Sequence, residues 1–393
     1  MSPYAKKQYA QIMAIRYKKA EPNEKSAILD EFCKVCHYHR KYAIDKLNNY
    51  FIHTDKPKAK RRGCPSKYRS DKILIPLKRI WLASNQPCSK RLKIIIRDWL
   101  PFYHEQFNHL DPKISKALLQ ISAPTIDRIF KPIRAKFKRK GISSTKPGTL
   151  LRKSIPIKTD QWNESVPGYL EADTLAHCGT TLLGEYVYSL ACVDIATGWI
   201  EQRAVWNRGH TNIIAQVKDI ENSLPFKILG FDSDNGGEFI NKDLINYFIR
   251  RANPVQFTRS RPYHKDDNAH VEQKNWTHVR QWLGYYRFDN PDITPILNDL
   301  YKTEWRLLHN FFLPSVKLID KKRIHSKVIK IHDAPKTPYQ RLLDSPHIDS
   351  KTKDLLRLQL SGLNPFKLRQ GIEIKLKKIF KLLNSKSRRS DML

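Results

Sequence analysis

Apolar positions recur along the chain at two spacings, and the spacing changes twice. Up to about residue 140 the period is helical. Ile12, Met13 and Ile15 mark a helix over 5–20; Ala27, Ile28, Phe32 and Val35 mark one over 24–35; Tyr42, Ala43, Leu47 and Phe51 mark one over 40–51. Residues 54–70 lose the period and carry Pro57, Gly63 and Pro65 among lysines and arginines, which predicts a linker. Helices resume over 71–140, with a stripe of Ile73, Leu74, Leu77, Ile80 and Trp81 and a second run over 92–100 that Pro101 stops. Ser122 and Pro124 have the place of a cap and a first-turn proline for a further helix. Residues 146–158 are aperiodic again. Strands are predicted next, at 169–177, 186–195 and 199–205, joined as an antiparallel meander through 179–184 and the Thr197-Gly198 turn. Then follow a helix over 212–224, a strand over 227–232, a helix over 241–252, a strand over 255–260 and a long helix over 269–286. Residues 291–393 read as helical, with breaks at Pro314, Pro335, Pro338, Pro346 and Pro365. Trp276 and Trp282 are expected in the core.

Charge divides the chain in the same way. The formal net charge is +34, made of +23 over residues 1–150, −3 over 151–300 and +14 over 301–393. Two basic flanks around a slightly acidic centre favour a nucleic-acid partner over a ribosomal or membrane-surface protein, because basic flanks neutralise phosphates and release counterions. No apolar run approaches the ~18 residues of a membrane span, and no signal peptide is evident. Six scattered cysteines suit a reduced, intracellular protein. Cys33-x-x-Cys36 is followed at once by His37 and His39 rather than by a distant second pair, so ordinary core and turn residues are expected there, not zinc.

The flanks suggest where DNA would be held. The second and third helices, with a tight turn and basic Arg40 and Lys41, fit either a helix-turn-helix or a plain helical hairpin. A second such unit spans 118–128 and ends on Arg128. The linker residues Arg61, Arg62 and Lys67 suit either a backbone-tracking arm or a solvated linker. This arm resembles a minor-groove hook of the Arg-Gly-Arg-Pro kind, with Cys64 where the central Arg would stand.

The centre carries the candidate chemistry. Asp173 lies in an alternating strand, Asp234 follows an apolar strand at an Asn-Gly-Gly turn, and Glu272 lies in the opening of a helix. Carboxylates at two strand ends and one helix start can converge into an all-oxygen Mg²⁺ site. Glu171 and Asp232 share strand faces with Asp173 and Asp234 and are plausible auxiliary acids. Asp194 is a third plausible auxiliary acid, but the favoured reading is an Asx-type turn before Thr197-Gly198, and Glu238 reads as capping or bordering the next helix. Lys265, Lys274 and Arg280, on the loop and helix that bring Glu272, are candidates to reach phosphates.

The element order (three strands, helix, strand, helix, strand, helix) is that of the ribonuclease H-like fold. The stretches 169–174, 193–199, 233–239, 261–263 and 268–274 together resemble the catalytic core of retroviral integrases and of DDE transposases. The helical flanks look more like a bacterial insertion-sequence transposase, and the 37 residues between Asp234 and Glu272 exceed the usual integrase spacing. The resemblance implies that Asp173, Asp234 and Glu272 hold two Mg²⁺ (or Mn²⁺) ions. It also implies an enzyme that binds element ends, cleaves strands and joins 3′ ends to target DNA. Its partners would be double-stranded DNA (terminal repeats and target) and at least a second copy of the chain, and its place the bacterial cytoplasm at the nucleoid. A structure-selective nuclease and a non-catalytic DNA-binding remnant are the alternatives. The expected architecture is multidomain: helix-turn-helix-like 1–54, basic linker 55–70, a second helical DNA-binding region 71–145, linker 146–160, an α/β core with a mixed five-stranded sheet over 161–290, and a mainly helical basic region 291–393.

Overall fold

The computed structural model describes residues 1–50, 67–135, 164–233, 236–239, 241–259, 269–324 and 327–390. The expected linker 146–160 and most of 55–70 lie outside these. The chain divides into two compact units, Met1–Ser66 and Lys67–Leu393.

The first unit is three helices, α1 (Pro3–Lys19), α2 (Pro22–Cys36) and α3 (Arg40–Asn48). The first two start on local chemistry. The Ser2 hydroxyl accepts from the Ala5 amide, and Glu24 reaches back to the Glu21 amide at 3.3 Å. His37 ends α2 in the left-handed region (φ 54°), taking the conformation a glycine usually supplies at that position. Met13, Tyr17, Ile28, Phe32, Cys36, Ala43 and Leu47 form the core between the helices. Cys36 is therefore a packed apolar residue.

The second unit is built on a five-stranded sheet. Its strands are β1 (Tyr169–Ala176), β2 (Val187–Asp194), β3 (Ile200–Trp206), β4 (Gly230–Ser233) and β5 (Gln256–Arg259), in the order β3-β2-β1-β4-β5. β1, β2 and β3 form the antiparallel meander, and β4 and β5 lie parallel to β1. That is the mixed sheet of a ribonuclease H-like core. β2 is buried along its whole length, so both faces of the sheet are covered. On one face, α8 (His210–Ser223) and α9 (Lys242–Ile249) pack Ile213, Val217, Leu244 and Phe248 on Leu170, Ala172, Leu190, Phe231 and Phe257. On the other, Val271 of α10 (Ala269–Lys274) packs on Ala191, Val193 and Ile200. The helix of α10 continues through a wide, π-type turn at Asn275–Arg280 into Gln281–Leu283.

Helices before and after the sheet share one further core. α4 (Asp71–Ala83), α5 (Ser89–Trp99), α6 (Pro112–Gln120) and α7 (Ala123–Ala135) contribute Leu77, Trp81, Ile96, Trp99 and Phe130. α11 (Ile293–Leu300) and the π-type turns Tyr301–Trp305 and Leu308–Phe312 add Leu297, Trp305 and Phe312. The Trp99 indole donates to the Phe312 carbonyl at 3.3 Å, and Asn364 donates to Glu105 at 2.8 Å. As expected, the Ser122 hydroxyl caps α7 by accepting from the Thr125 amide. The region after residue 313 holds α12 (Pro338–Asp344), α13 (Ser350–Ser361) and α14 (Pro365–Ser390). It also holds a β-hairpin that the helical reading lacked, β6 (Leu318–Ile324) with β7 (Lys327–His332). The signal for it was present: Ile319, Ile324, Val328, Ile329 and Ile331 are β-branched and stand among lysines.

Candidate active site

Successive side chains of a strand point to opposite faces. In β1, Leu170 and Ala172 enter the apolar core under α8, which sends Glu171 and Asp173 to the α10 side. β4 lies beside β1 with Asp232 opposite Glu171 and Ser233 opposite Ala172. The Thr258 hydroxyl of β5 donates to Asp232 at 2.5 Å. Asp234, the next residue after β4, lies outside the described residues.

α10 closes the site from above. Val271, fully buried, fixes the helix on the sheet, and its amide donates to Glu171 Oε2 at 3.0 Å. A carboxylate at a helix N-terminus satisfies amides that have no intrahelical partner. Burial nonetheless pushes Glu171 up to about 8, with the charges of Asp232 and Glu272 adding to it against the Val271 and His270 amides. Glu272 sits in the first turn of α10 and is exposed. Three residues on, Asn275 is buried, and its amide donates to Asp173 Oδ2 at 2.6 Å. That bond ties the helix carrying Glu272 to the strand carrying Asp173. The pairing of Asn275 was missed from the sequence, where only its spacing from Glu272 was visible.

Neighbouring acids have other work. Asp194 accepts from the Gly168 and Thr197 amides, each at 2.8 Å, and from the Thr197 hydroxyl at 2.6 Å. It is the Asx-type turn that was expected, and burial pushes its carboxyl up to about 6. Glu238 accepts from Thr174 of β1 at 2.7 Å rather than capping the following helix.

The expected DNA-contact residues fall in different settings. Arg40 and Lys41 are exposed on α3, with Arg40 paired to Asp30 and Ser26 of α2. Lys67 is exposed beside Gln120, and Arg128 is exposed on α7 beside Thr125. Arg61, Arg62 and Lys265 lie outside the described residues. Lys274 is only 7% exposed, and burial pushes it down to about 7 with Arg91 and Arg341 adding to the effect. Arg280 donates to the Ala176 carbonyl at 2.8 Å and lies over the Tyr285 ring. Lys274 points inward because Val271, Lys274, Asn275, His278 and Val279 form the buried side of the helix, and Arg280 is half-buried beside it. Trp276 corrects the expectation of a core residue. It stands four residues after Glu272 on the exposed side and is 49% accessible, whereas Trp282 is 9% accessible and packed.

Carboxylates are hard oxygen donors suited to Mg²⁺. Among the described residues no group of three His, Cys, Asp or Glu could hold a metal. In the described part of the site, burial first and then the charges of Asp232 and Glu272 push the Glu171 carboxyl up, so the acids there stand close enough to act on one another.

No family model matches the chain. A curated relative from Sinorhizobium fredii (strain NBRC 101917 / NGR234), "Uncharacterized protein y4rM", is 36% identical over 337 residues, covering 83% of this chain and 91% of the relative. The chain belongs to the y4rM family. Two solved structures resemble part of this y4rM-family chain at a distance. The catalytic core domain of BIV integrase matches 46% of the chain and 96% of its own length, at 14% identity and a TM-score of 0.28. The HTLV-2 integrase catalytic core domain in complex with magnesium matches 38% of the chain and 91% of its own length, at 16% identity and a TM-score of 0.27. The fold assignment rests on the strand order of the sheet. No described helix is long and apolar enough to cross a membrane.

Proposed function

We propose that this y4rM-family chain is a DDE-type transposase that binds the ends of a DNA element, cleaves strands and joins the freed 3′ ends to target DNA. The observation that carries the reading is the Asn275–Asp173 bond, which brings the helix of Glu272 to the strand of Asp173 in the element order of a ribonuclease H-like core. Asp173, Asp234 and Glu272 would hold two Mg²⁺ (or Mn²⁺) ions. Two such ions activate a water or 3′-hydroxyl and stabilise the departing oxygen of an in-line displacement.

The chain's own residues prepare that site. Asn275 orients Asp173, and Glu171 anchors the first turn of α10 through the Val271 amide. Val271 packs this turn on the sheet, which leaves Glu272 on the exposed side of the helix. Arg40, Lys41, Arg61, Arg62, Lys67, Arg128 and Lys265 are the candidates to grip double-stranded DNA. An element has two ends, so at least two copies of the chain would act together.

A joining assay tests the reading. It combines purified protein, a pre-nicked oligonucleotide bearing the sequence that borders the gene, supercoiled plasmid and Mg²⁺. Joined product from wild type and none from Asp234→Asn or Glu272→Gln supports it. Cleavage without joining means a nuclease on the same fold, and DNA binding with neither reaction means a non-catalytic remnant.

A further inference from the structure

The β6–β7 hairpin springs from beside the turn between β2 and β3, close to the first turn of α10, and its root is firmly held. Lys317 donates its Nζ to the Ala196 carbonyl at 2.7 Å, in the turn between β2 and β3, and its charge acts on His270 in the first turn of α10. The Lys317 amide donates to Asp333 Oδ1 at 2.6 Å, and the Asp333 amide donates back to the Lys317 carbonyl at 3.0 Å. Arg341 clamps the same point, with Nη1 on Asp333 Oδ2 at 2.5 Å and Nη2 on the Ser315 carbonyl at 3.0 Å. Ser315 and Lys336 exchange backbone bonds one step further in.

Beyond that root the two strands pair with each other and their described side chains are largely exposed, Lys322 lying 3.5 Å from Asp320. In the register Lys322 faces Ile329 and Asp320 faces Ile331, which puts Lys322, Ile324, Ile329 and Ile331 on one face and Arg323 and Lys330 on the other. Ile324 is 52% exposed, Ile329 48% and Ile331 41%. Lys322, Arg323 and Lys330 are exposed as well. At ~3.3 Å per residue each arm is roughly 20 Å long. A ribbon of two strands fits the major groove of B-DNA, about 12 Å wide and 8.5 Å deep.

We propose that this hairpin is a DNA-binding arm that lies in a groove of the duplex next to the candidate active site, its cations on phosphates and its isoleucines against sugars and base methyl groups. The proposal rests on the DNA-processing reading above and names the element that holds the duplex there. The charge pattern favours DNA over a second copy of the chain. Pairing two such hairpins would set lysine and arginine against their own kind, and lysines on a strand edge oppose edge-to-edge association. A polyanion neutralises them.

The test measures duplex binding by the full chain without metal, as a function of salt, for wild type and for the triple substitution Lys322→Gln, Arg323→Gln, Lys330→Gln. Each lost phosphate contact removes about 0.9 from the slope of log K against log[salt], so the slope should fall by about 2 to 3. A second variant, Ile324→Ser, Ile329→Ser, Ile331→Ser, should weaken binding several-fold with the salt slope unchanged. An unchanged slope in the lysine and arginine variant overturns the proposal. So does a serine variant that binds DNA as wild type but loses a self-association seen by sedimentation, which would make the ribbon an interface between copies. These readings need no catalysis. A wild type that binds through the hairpin yet joins nothing would sink the transposase reading and leave the arm standing.

Discussion

The same sheet buries charge in two ways. On the α8 face, Glu201 and Arg203 of β3 are almost fully buried and balanced. Arg306 reaches Glu201 at 2.5 Å, Arg203 reaches it at 3.3 Å, and the Trp199 indole donates to it at 3.0 Å. Arg203 also pairs with Asp219, which Lys302 meets at 3.1 Å. On the α10 face, Glu171, Asp232, Asp173 and Glu272 are gathered instead, and the Glu171 carboxyl is pushed up to about 8. Desolvating a charge is costly in either place. The first cluster answers that cost with opposite charges from the chain itself. The second meets it with amides and hydroxyls, from Val271, His270, Asn275 and Thr258, and leaves the acids crowded together. The contrast separates a balanced group, which holds β3 to α8 and to the helical stretch after α11, from a cluster of acids that act on one another.

Substitutions can break that contrast, and the largest effect belongs to the crowded side. Asp173→Asn, Asp234→Asn or Glu272→Gln should each lower strand joining by about a thousandfold or more, since metal placement is lost. Thermal unfolding of each variant should stay close to wild type; a large drop would mean that these acids serve folding. Next is the balanced side. Arg203→Met strands Glu201 and Asp219 and should cost about 3–5 kcal/mol in denaturant unfolding. A cost near zero would show that Arg306 and Lys302 suffice. Asn275→Ala removes the bond to Asp173 and should weaken Mg²⁺ affinity about 10–100-fold, read by metal titration. Unchanged affinity would reduce Asn275 to a packing residue.

The smallest effect is a pH dependence. Glu171 has a folded pKa of about 8 against an ordinary 4.5, so the folded state binds the extra proton between those values. Stability of the metal-free protein should therefore fall as pH rises from about 4.5 to about 8. Glu171→Gln should flatten that fall by an amount on the order of 1–3 kcal/mol between pH 5 and pH 8. Mg²⁺ should flatten it in wild type. An identical slope in the variant would place the proton elsewhere.

Much of the sheet was legible because it is written locally. Alternation sends Leu170 and Ala172 one way and Glu171 and Asp173 the other, and Thr197-Gly198 closes the turn that Asp194 caps. Partners distant in sequence were not legible. A stripe such as Leu92 to Trp99 announces a buried face but not that its indole will meet Phe312. Asn275 stands three residues after Glu272, while its bond runs 102 residues back to Asp173. Trp276 misled because an indole suggests a core, yet at i+4 it follows the exposed Glu272 around the helix. The hairpin escaped because its isoleucines face solvent, so the alternation had no buried side to mark.

The π-type turn at Asn275–Arg280 has a bearing on how this chain can vary. Such a turn amounts to an α-helix holding one surplus residue, commonly kept at functional sites. Deleting one residue there would remove the surplus and rewind the turn to the ordinary pitch, leaving the parts on either side in phase. Glu272, on the near side, would keep its bearing on the sheet, and Trp282 its packing against Trp305. The turn thus works as an expansion joint between two parts, one aimed by the strands and one by the surrounding helices. A change of one residue in length would be taken up there before it could move the carboxylate.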